Sequence, residues 1–355
     1  MDNIVLFGAS NHGKVAQLNL GKKYNIMYFC DNDSSKYGSR LNNVEIISSK
    51  QLSKIYNEQL KIVISSQYHD EISKQLIDMG IFNIYYFVND TILPFSRDPL
   101  KIQMKKQTML TTEELFYLYT LTKDQYIGEG EIIDAGCLLG GSTVAFAEGL
   151  INNQKVNEKI KYEKIHSYDL FLYDTYMNGL EFETRPNINQ SLLPAFSENV
   201  NEYQNYLRIY PGDFLTKKWG GDNIELLFID LSKSIELNNH LIKIYFQYLI
   251  PNRSIIIQQD YYHHYCFWIH ITMEYLKDFF EPLEYAGGGT LPFKLIKKIP
   301  LEILEYDFMQ YTPKEELIEL MNSAIRKHGN KVGLFQRNEL NKARENLFTY
   351  LEKRK

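Results

Sequence analysis

The chain is poor in cysteine and tryptophan, has no long apolar run and carries no excess of basic charge. Its three cysteines, Cys30, Cys137 and Cys266, are widely separated and lack the spacing of a zinc site. Such sparse use is typical of a reducing compartment, so we expect a cytoplasmic protein without disulfides. The apolar runs fall well short of the about 20 residues that a membrane-spanning helix needs, so no membrane span is expected.

The charge excludes one class of partner. The net charge is −5, and no basic cluster is interleaved with aromatic residues, so nucleic acid is not an expected partner. The first residues, MDNIVLFGAS, run directly into a strand pattern and lack the layout of a signal peptide. With 355 residues, 44% of them hydrophobic, the chain is too long for one ordinary core and predicts two domains.

The first domain is predicted over residues 1–90. Four apolar strand segments (NIVLFG, NIMYFC, KIVISS and NIYYFV) alternate with helical segments, which is the pattern of a small parallel βα sheet in an α/β protein. Residues 91–110 contain proline and mixed charge, and we interpret them as a linker. A helix that begins after Thr111, with Glu114 three residues later, opens the second domain at residues 111–310.

Five strand-like segments in the second domain each run up to an acidic residue. In an open α/β sheet, ligands bind outside the carboxyl ends of the strands, so a row of carboxylates there predicts a site for a polar ligand. Two further strands, PLEYAGG and LPFKLIKKI, are predicted as an antiparallel hairpin joined by Gly287 to Gly289. Residues 311–355 are predicted as a helical extension. The five acidic residues are Asp134, Asp169, Asp213, Asp230 and Asp260.

The turn after the first of these strands is rich in glycine and opens a helix. Gly136, Gly140 and Ser142 follow Asp134 in the segment DAGCLLGGST, and such a turn lets the backbone approach a ligand closely. At the end of the next strand, Asp169 is placed to accept ribose hydroxyls. Gly212-Asp213 ends the third strand, where an adenine amino group would be met.

These motifs in this order resemble the class I S-adenosylmethionine-dependent methyltransferases, and specifically the macrocin-type sugar O-methyltransferases. The resemblance covers roughly residues 108–300 and departs from the usual motif at Leu138, which stands in place of a glycine. It implies a seven-stranded, doubly wound methyltransferase sheet and S-adenosyl-L-methionine as cofactor. The residues that it implies for the cofactor site are Asp134, Gly136, Gly140, Ser142, Asp169 and Asp213.

The same resemblance implies a divalent cation, such as Mg²⁺, at the ends of the fourth and fifth strands. Asp230 and Asp260 hold those places, and Gln259 stands where relatives commonly have a second aspartate. Oxygen ligands of this kind suit Mg²⁺. His263 and His264 follow directly, and either is a candidate general base that would deprotonate the acceptor with the two carboxylates. Lys233 is a further candidate contact or a plain surface lysine.

The first domain has a glycine turn of its own. Gly8, Ser10, His12 and Gly13 lie between a strand and a helix, and Asp31 ends the next strand at the position of a ribose-binding residue. FGASNHGKV followed by FCDND is similar to the Rossmann-like N-terminal domain of PglD-type sugar acyltransferases. That resemblance implies a site for a nucleotide-linked sugar. A degenerate domain that serves oligomerisation or scaffolding is the alternative.

Together, the two resemblances imply an S-adenosylmethionine-dependent O-methyltransferase that acts on a nucleotide-linked or carrier-linked sugar in surface-glycan or natural-product biosynthesis. Two alternatives stay open: an NAD-dependent sugar-nucleotide oxidoreductase or epimerase that uses the first domain, and a glycan-pathway scaffold without catalysis. Transfer to nitrogen rather than oxygen fits the same motifs. The helical extension would suit a homodimer.

Overall fold

The chain forms two compact units, Met1–Pro99 and Leu100–Lys355. Residues 95–107 of the predicted linker lie outside the described residues, and the predicted domain boundaries stay predictions. Across the described part of the chain, no helix has the length and apolar character needed to cross a membrane. The computed structural model describes residues 2–57, 59–66, 68–88, 91–94, 108–180, 182, 185–329 and 331–354.

The first unit is an α/β sheet with the first strand near its centre. Its described strands are ordered β3-β4-β2-β1-β5-β6-β7; the inner pairs are parallel, and the edge strands β3 and β7 are antiparallel to their neighbours. This confirms the predicted Rossmann-like sheet. The elements are β1 (Asn3–Phe7), α1 (Asn11–Leu20), β2 (Asn25–Cys30), β3 (Arg40–Leu41), β4 (Val44–Ile47), α2 (Ser49–Ile55), β5 (Lys61–Ile64), α3 (His69–Asp78), β6 (Ile84–Val88) and β7 (Thr91–Pro94).

Both faces of this sheet are buried, which explains the continuous apolar runs of its strands. Along β1, Val5 and Phe7 enter a core cluster with α2 and α3, whereas Ile4 and Leu6 enter a second cluster with α1. Side chains alternate between the two faces of a strand, so an unbroken apolar run is needed where helices cover both sides.

The prediction for this unit omits three short strands. β3 and β4 form a hairpin whose two-residue loop is Asn42-Asn43, and both residues have positive φ, 46° and 68°. Asparagine is one of the residues that tolerates this conformation, so the Asn-Asn pair is the sequence signal of the hairpin. β7, at residues assigned to the linker, pairs with β6 and extends the sheet.

The second unit is a doubly wound sheet flanked by helices. Its elements are α4 (Thr112–Asp124), β8 (Glu131–Ala135), α5 (Gly141–Ile151), β9 (Ile165–Asp169), α6 (Leu193–Asn199), β10 (Leu207–Pro211), β11 (Ile224–Ile229), α7 (Ile235–Tyr245), β12 (Ile255–Gln258), α8 (Phe267–Tyr275), β13 (Phe280–Pro282), β14 (Leu291–Leu295), α9 (Leu301–Glu305), α10 (Phe308–Tyr311), α11 (Lys314–His328) and α12 (Leu334–Lys353).

The strand order confirms the predicted class I methyltransferase sheet. In the described residues of this unit, seven strands follow the order β10-β9-β8-β11-β12-β14-β13, and only the pairs that include β14 are antiparallel. The chain moves outward from β8 in one direction through β9 and β10, then returns to β11 on its other side. The strand order therefore reverses between β8 and β11, which is where open sheets of this kind bind ligands.

The sixth strand lies elsewhere than predicted. β13 is Phe280–Pro282, and the Leu283 N–H still donates to the Pro292 carbonyl of β14 at 2.9 Å, whereas residues 284–288 of the predicted strand belong to no strand. The tight glycine turn exists, since the Thr290 N–H donates to the Gly287 carbonyl at 2.9 Å, but it leads from a loop into β14. This loop packs against α4, because a Cβ atom at Gly288 would lie 2.4 Å from the carboxylate of Glu114.

Glu114 joins the start of α4 to this turn. Its buried carboxylate accepts hydrogen bonds from the Thr111 N–H at 2.8 Å, the Gly289 N–H at 3.1 Å and the Thr290 hydroxyl at 2.6 Å. Thr111 and Glu114 form the capping box expected for this helix. Burial raises the pKa of Glu114. The residues just before α4 are therefore held close to the carboxyl edge of the sheet.

The C-terminal helices are part of the core of the second unit. α11 packs against α8, and α12 packs against α11 and α8. Leu317 and Met321 of α11, with Leu340 and Leu347 of α12, are fully buried in the same cluster as residues of β11 and β12. The predicted helical extension is thus continuous with the fold of this unit.

We expect Leu347→Ala to destabilise the second unit by about 2–5 kcal/mol, because it leaves a cavity in a closed core. Leu334→Ala removes the same atoms from the same helix, but Leu334 is 73% exposed, so its effect should stay within about 0.5 kcal/mol. Urea unfolding followed by tryptophan fluorescence measures the difference, because Trp219 and Trp268 both lie in this unit. Equal effects would show that α12 is not part of the core.

Candidate functional site

The turn after β8 lies directly against the end of β11. Gly136 has a φ of 101°, and a Cβ atom there would lie 2.7 Å from the carbonyl carbon of Asp230. Its N–H donates to the Tyr168 carbonyl on β9 at 2.8 Å, and the Asp230 N–H donates to the Ala135 carbonyl at the same distance. Glycine is needed at this position, since any side chain would separate the strand ends.

Leu138 takes the place and the conformation of the missing glycine. Its φ is 47°, in the left-handed region, which costs a non-glycine residue about 1 kcal/mol. Its N–H donates to Asp169 Oδ2 at 2.8 Å, and the Phe171 N–H donates to Asp169 Oδ1 at 2.7 Å. Both oxygens of Asp169 are thereby oriented by the backbone, and burial raises the pKa of this carboxyl.

Asp134 lies beneath the turn and supports it from inside. Its side chain is fully buried and accepts hydrogen bonds from Ser142 Oγ at 2.8 Å and Thr143 Oγ1 at 2.5 Å, both in the first turn of α5. Burial raises the pKa of Asp134 to about 7, because these hydroxyls do not fully replace water and the Asp169 carboxylate lies nearby. Of the predicted cofactor residues, Asp134 and Gly140 do not line the cavity.

A cavity of about 960 Å³ opens at the carboxyl ends of the parallel strands. A pocket of this size is in the range that holds a cofactor or a drug-sized ligand. It brings together eight of the predicted site residues. On the side of β8, β9 and β10 lie Gly136, Ser142, Asp169 and Asp213, and on the side of β11 and β12 lie Asp230, Gln259, Asp260 and His263.

Asp213 caps a turn and also lies at the cavity. Its Oδ1 accepts a hydrogen bond from the Leu215 N–H at 2.9 Å, which caps the short 3₁₀ turn Phe214–Thr216, and the residue also lines the cavity. Phe214 is buried beside it, with its ring stacked on Tyr245 at 5.1 Å. This corner of the cavity therefore combines a polar group with an apolar wall.

At the opposite end, Lys233 bridges two carboxylates. Its Nζ donates to Asp230 Oδ1 at 2.8 Å and also to Asp260 Oδ2. Burial alone would lower the pKa of Lys233, but the two carboxylates raise it above its usual value. Burial raises the pKa of Asp230 despite the ammonium. Lys233 is thus an ion-pair partner of both carboxylates and lines the cavity, and a functional contact stays a prediction.

The two predicted histidines point to different places. His263 lines the cavity, and partial burial lowers the pKa of its imidazole although Asp260 opposes this shift. His264 does not line the cavity; its Nδ1 pairs with Glu339 Oε2 on α12, and its carbonyl accepts from Asn346 Nδ2 at 3.0 Å. The geometry thus brings His263, but not His264, to the cavity.

The side-chain oxygen of Gln259 has no hydrogen-bond donor among the described residues. This atom, Oε1, is buried. In the part of the chain that the structure describes, no group of three His, Cys, Asp or Glu side chains lies close enough together to hold a metal ion. The predicted ligand set of Asp230, Gln259 and Asp260 therefore has two carboxylates, which both contact Lys233, and one amide oxygen.

Several lining residues have no counterpart in the sequence prediction. Thr108 and Met109 reach the cavity from the segment before α4, and Tyr176 and Tyr265 line it with more than half of each residue exposed. Tyr265 directly follows the two histidines, so its place in the segment QQDYYHHY could have predicted that it lines the same cavity. Tyr176 lies in a 3₁₀ turn of the long segment after β9, for which the sequence pattern predicts no structure.

The turn in the first unit has the same plan. A Cβ atom at Gly13 would lie 2.1 Å from the Gly8 carbonyl oxygen, so glycine lets α1 begin close to the end of β1. The Ala9 N–H donates to Asp31 Oδ2 at 2.8 Å, and Lys36 Nζ donates to the same oxygen at 3.0 Å. Ser10 and His12 are exposed at this turn. A nucleotide site here stays a prediction.

Residues 1–84 match the family model described as C2185-like, N-terminal, which is well under half of the chain. No curated protein matches the sequence.

The chain is also similar in structure to several solved proteins. A UDP-D-quinovosamine 4-dehydrogenase from Vibrio fischeri shows 18% identity over 27% of this chain and 95% of its own, with a TM-score of 0.23. A methyltransferase from Geobacter sulfurreducens shows 14% identity over 64% and 97%, with a TM-score of 0.38. Methyltransferase FkbM from Methylobacillus flagellatus KT shows 10% identity over 82% and 89%, with a TM-score of 0.28. At these sequence identities and TM-scores, none of these structural similarities identifies an activity.

The buried carboxyl of Asp134 makes a specific pH dependence testable. Because its pKa is about 7 in the folded chain and 3.8 ordinarily, folding favours the protonated form, and the free energy of unfolding should fall as pH rises from about 4 to about 7. Asp134→Asn keeps the shape without the charge, so its stability relative to the unmodified chain should rise over this interval by up to about 4 kcal/mol. Urea unfolding at several pH values measures this, and parallel curves would contradict it.

Proposed function

We propose that the second unit is an S-adenosylmethionine-dependent O-methyltransferase whose acceptor is a sugar carried on a nucleotide or another carrier. One observation carries the proposal: a single cavity joins a glycine turn and a ribose-type carboxylate on one side to a pair of carboxylates on the other. The first set suits a nucleoside cofactor, and the second suits an acceptor hydroxyl. The strand order around β8 is consistent with this division.

The residues on the side of β8 fit the cofactor. Asp169 has its two oxygens directed by backbone N–H groups, and each oxygen retains a lone pair for a ribose hydroxyl. Phe214 and Asp213 would hold the adenine, and the turn at Gly136 would face the amino-acid portion. When bound, S-adenosylmethionine supplies a methyl group on a sulfonium, which a positioned nucleophile accepts.

At the acceptor end, Asp230 and Asp260 would orient a sugar hydroxyl and take its proton. Each carboxylate has one oxygen bonded to Lys233 and one that accepts no hydrogen bond within the described residues. His263 lies at the same end and is an alternative base. Holding the hydroxyl in line with the methyl group is the main requirement of such a transfer.

The cation that assists the acceptor has two candidate sources. The sequence resemblance implies Mg²⁺ on Asp230, Gln259 and Asp260, and the free Oε1 of Gln259 supports an oxygen donor at that place. The ammonium of Lys233, already paired with both carboxylates, supports the other source.

For the first unit, we propose binding of a nucleotide-linked sugar. The close approach of α1 to β1 and the carboxylate of Asp31 at the end of β2 support a nucleotide site, and the resemblance to PglD-type acyltransferases supports a nucleotide-linked sugar. The alternatives remain hydride transfer with NAD and a purely scaffolding role. The cytoplasmic location and the homodimer also stay predictions.

Calorimetric titration with S-adenosylhomocysteine tests the proposed cofactor site. We expect micromolar affinity for the unmodified chain and a loss of about tenfold or more for Asp169→Asn, which exchanges an acceptor oxygen for a donor. Asp174→Asn is the matched control, because Asp174 is exposed and does not line the cavity. Asp260→Ala should leave this affinity nearly unchanged. Absence of binding to the unmodified chain would refute the methyltransferase proposal.

Titration of the full chain with a UDP-sugar, and separately with NAD⁺, tests the first unit. We expect the UDP-sugar to bind and Asp31→Asn to weaken it by about tenfold, since a carboxylate accepts ribose hydroxyls better than an amide. The control is Asp78→Asn, at the exposed end of α3. Binding of NAD⁺ alone would favour the oxidoreductase alternative, and binding of neither would favour the scaffold.

A further inference from the structure

A lysine ammonium lies between the two carboxylates at the acceptor end of the cavity. Lys233 Nζ contacts Asp230 Oδ1 at 2.8 Å and also contacts Asp260 Oδ2, so it joins the ends of the neighbouring strands β11 and β12. These are the two residues that the sequence resemblance assigns to a divalent cation. A positive charge that belongs to the chain therefore lies between the expected metal ligands.

The loop that carries Lys233 is held on both sides. The Lys233 N–H donates to the Leu231 carbonyl at 2.7 Å. Directly after it, the Ser234 hydroxyl accepts from the Leu237 N–H at 3.1 Å and caps α7. On the other strand, the His263 N–H donates to the Asp260 carbonyl at 3.0 Å. The backbone bonds thus hold the loops that carry Lys233 and Asp260, and the two carboxylates hold the ammonium.

The charges at this place do not favour an additional divalent ion. The side chains of Asp230 and Asp260 are only 22% and 10% exposed, so their mutual repulsion is poorly screened and needs a compensating cation. Lys233 supplies that charge and occupies one oxygen of each carboxylate. A divalent ion would have to displace the ammonium or bind beside it, and the remaining ligand, Gln259, is neutral.

We propose that Lys233 is the resident cation of this site and that it takes the role that a divalent metal ion would otherwise have. Its role in the reaction rests on the proposed methyltransferase function, whereas its role in excluding a metal does not. The lysine side chain is 53% exposed, so an acceptor in the cavity can reach it.

The proposal assigns a task to each group at the acceptor end. An ammonium has three N–H donors, and Lys233 uses two on the carboxylates, which leaves one for the oxygen of an acceptor hydroxyl. The hydroxyl proton passes to the free oxygen of Asp230 or Asp260. As it does so, the hydroxyl oxygen bonds to the methyl carbon, the bond from that carbon to sulfur breaks, and its electron pair stays on sulfur.

Binding of Mn²⁺ alone to the full chain, measured by electron paramagnetic resonance, tests the metal-excluding role. We expect Lys233→Ala and Lys233→Met to bind Mn²⁺ at least about tenfold more tightly than the unmodified chain, because each leaves two buried carboxylates without their cation. Lys243→Ala is the matched control, since Lys243 is an exposed lysine in the last turn of α7. Adding Asp260→Asn to Lys233→Ala should remove the gained site.

Tight Mn²⁺ binding by the unmodified chain that is lost in Asp260→Asn would overturn the proposal, and this comparison does not depend on the folding of any Lys233 variant. Equal Mn²⁺ affinity with and without Lys233 would also overturn it. S-adenosylhomocysteine titration of the same proteins separates the two claims. If that ligand does not bind but the metal results hold, the methyltransferase proposal fails and the assignment of Lys233 as resident cation stands.

Discussion

The close contact between the turn after β8 and the end of β11 determines the layout of the second unit. Because Gly136 carries no side chain, its backbone rests on the Asp230 carbonyl group, and the strands on either side of the reversal in strand order end at one place. The carboxylate of Asp134, buried under the turn, ties it to the first turn of α5 through two hydroxyls. The result is one cavity that has Gly136 and Asp169 on one side and Asp230 and Asp260 on the other, rather than two separate clefts.

The turn after the first parallel strand makes the same hydrogen bond in both units. In each, the carboxylate that ends the second strand of the parallel core accepts an N–H from the turn after the first strand: Ala9 donates to Asp31, and Leu138 donates to Asp169. Each carboxylate also accepts the N–H of the residue two positions further on, Asp33 in the first unit and Phe171 in the second. Asp31 differs because it pairs in addition with Lys36, whereas Asp169 accepts its hydrogen bonds from backbone N–H groups.

Sequence patterns predicted those features that depend on local periodicity. Buried strands that end in aspartate, and the capping box of α4, follow from neighbours within a few residues, and both sheets have the predicted type. Features that depend on side-chain direction or on contacts between distant segments could not be predicted in this way. His263 and His264 are adjacent, yet one faces the cavity and the other faces α12. The glycine segment that was predicted to join two strands bonds instead to Glu114, which is distant in sequence. The bridging position of Lys233 depends on two loops that are 27 residues apart.

The contact between α12 and the cavity rim also links two equilibria. Glu339 and Asn346 of α12 both bond to His264, which is next to the cavity-lining His263. Undocking of α12 would therefore release the rim segment as well as the core, and occupancy of the cavity and docking of the C-terminus reinforce each other. The helix α12 thus supports the segment beside His263, although none of its residues lines the cavity.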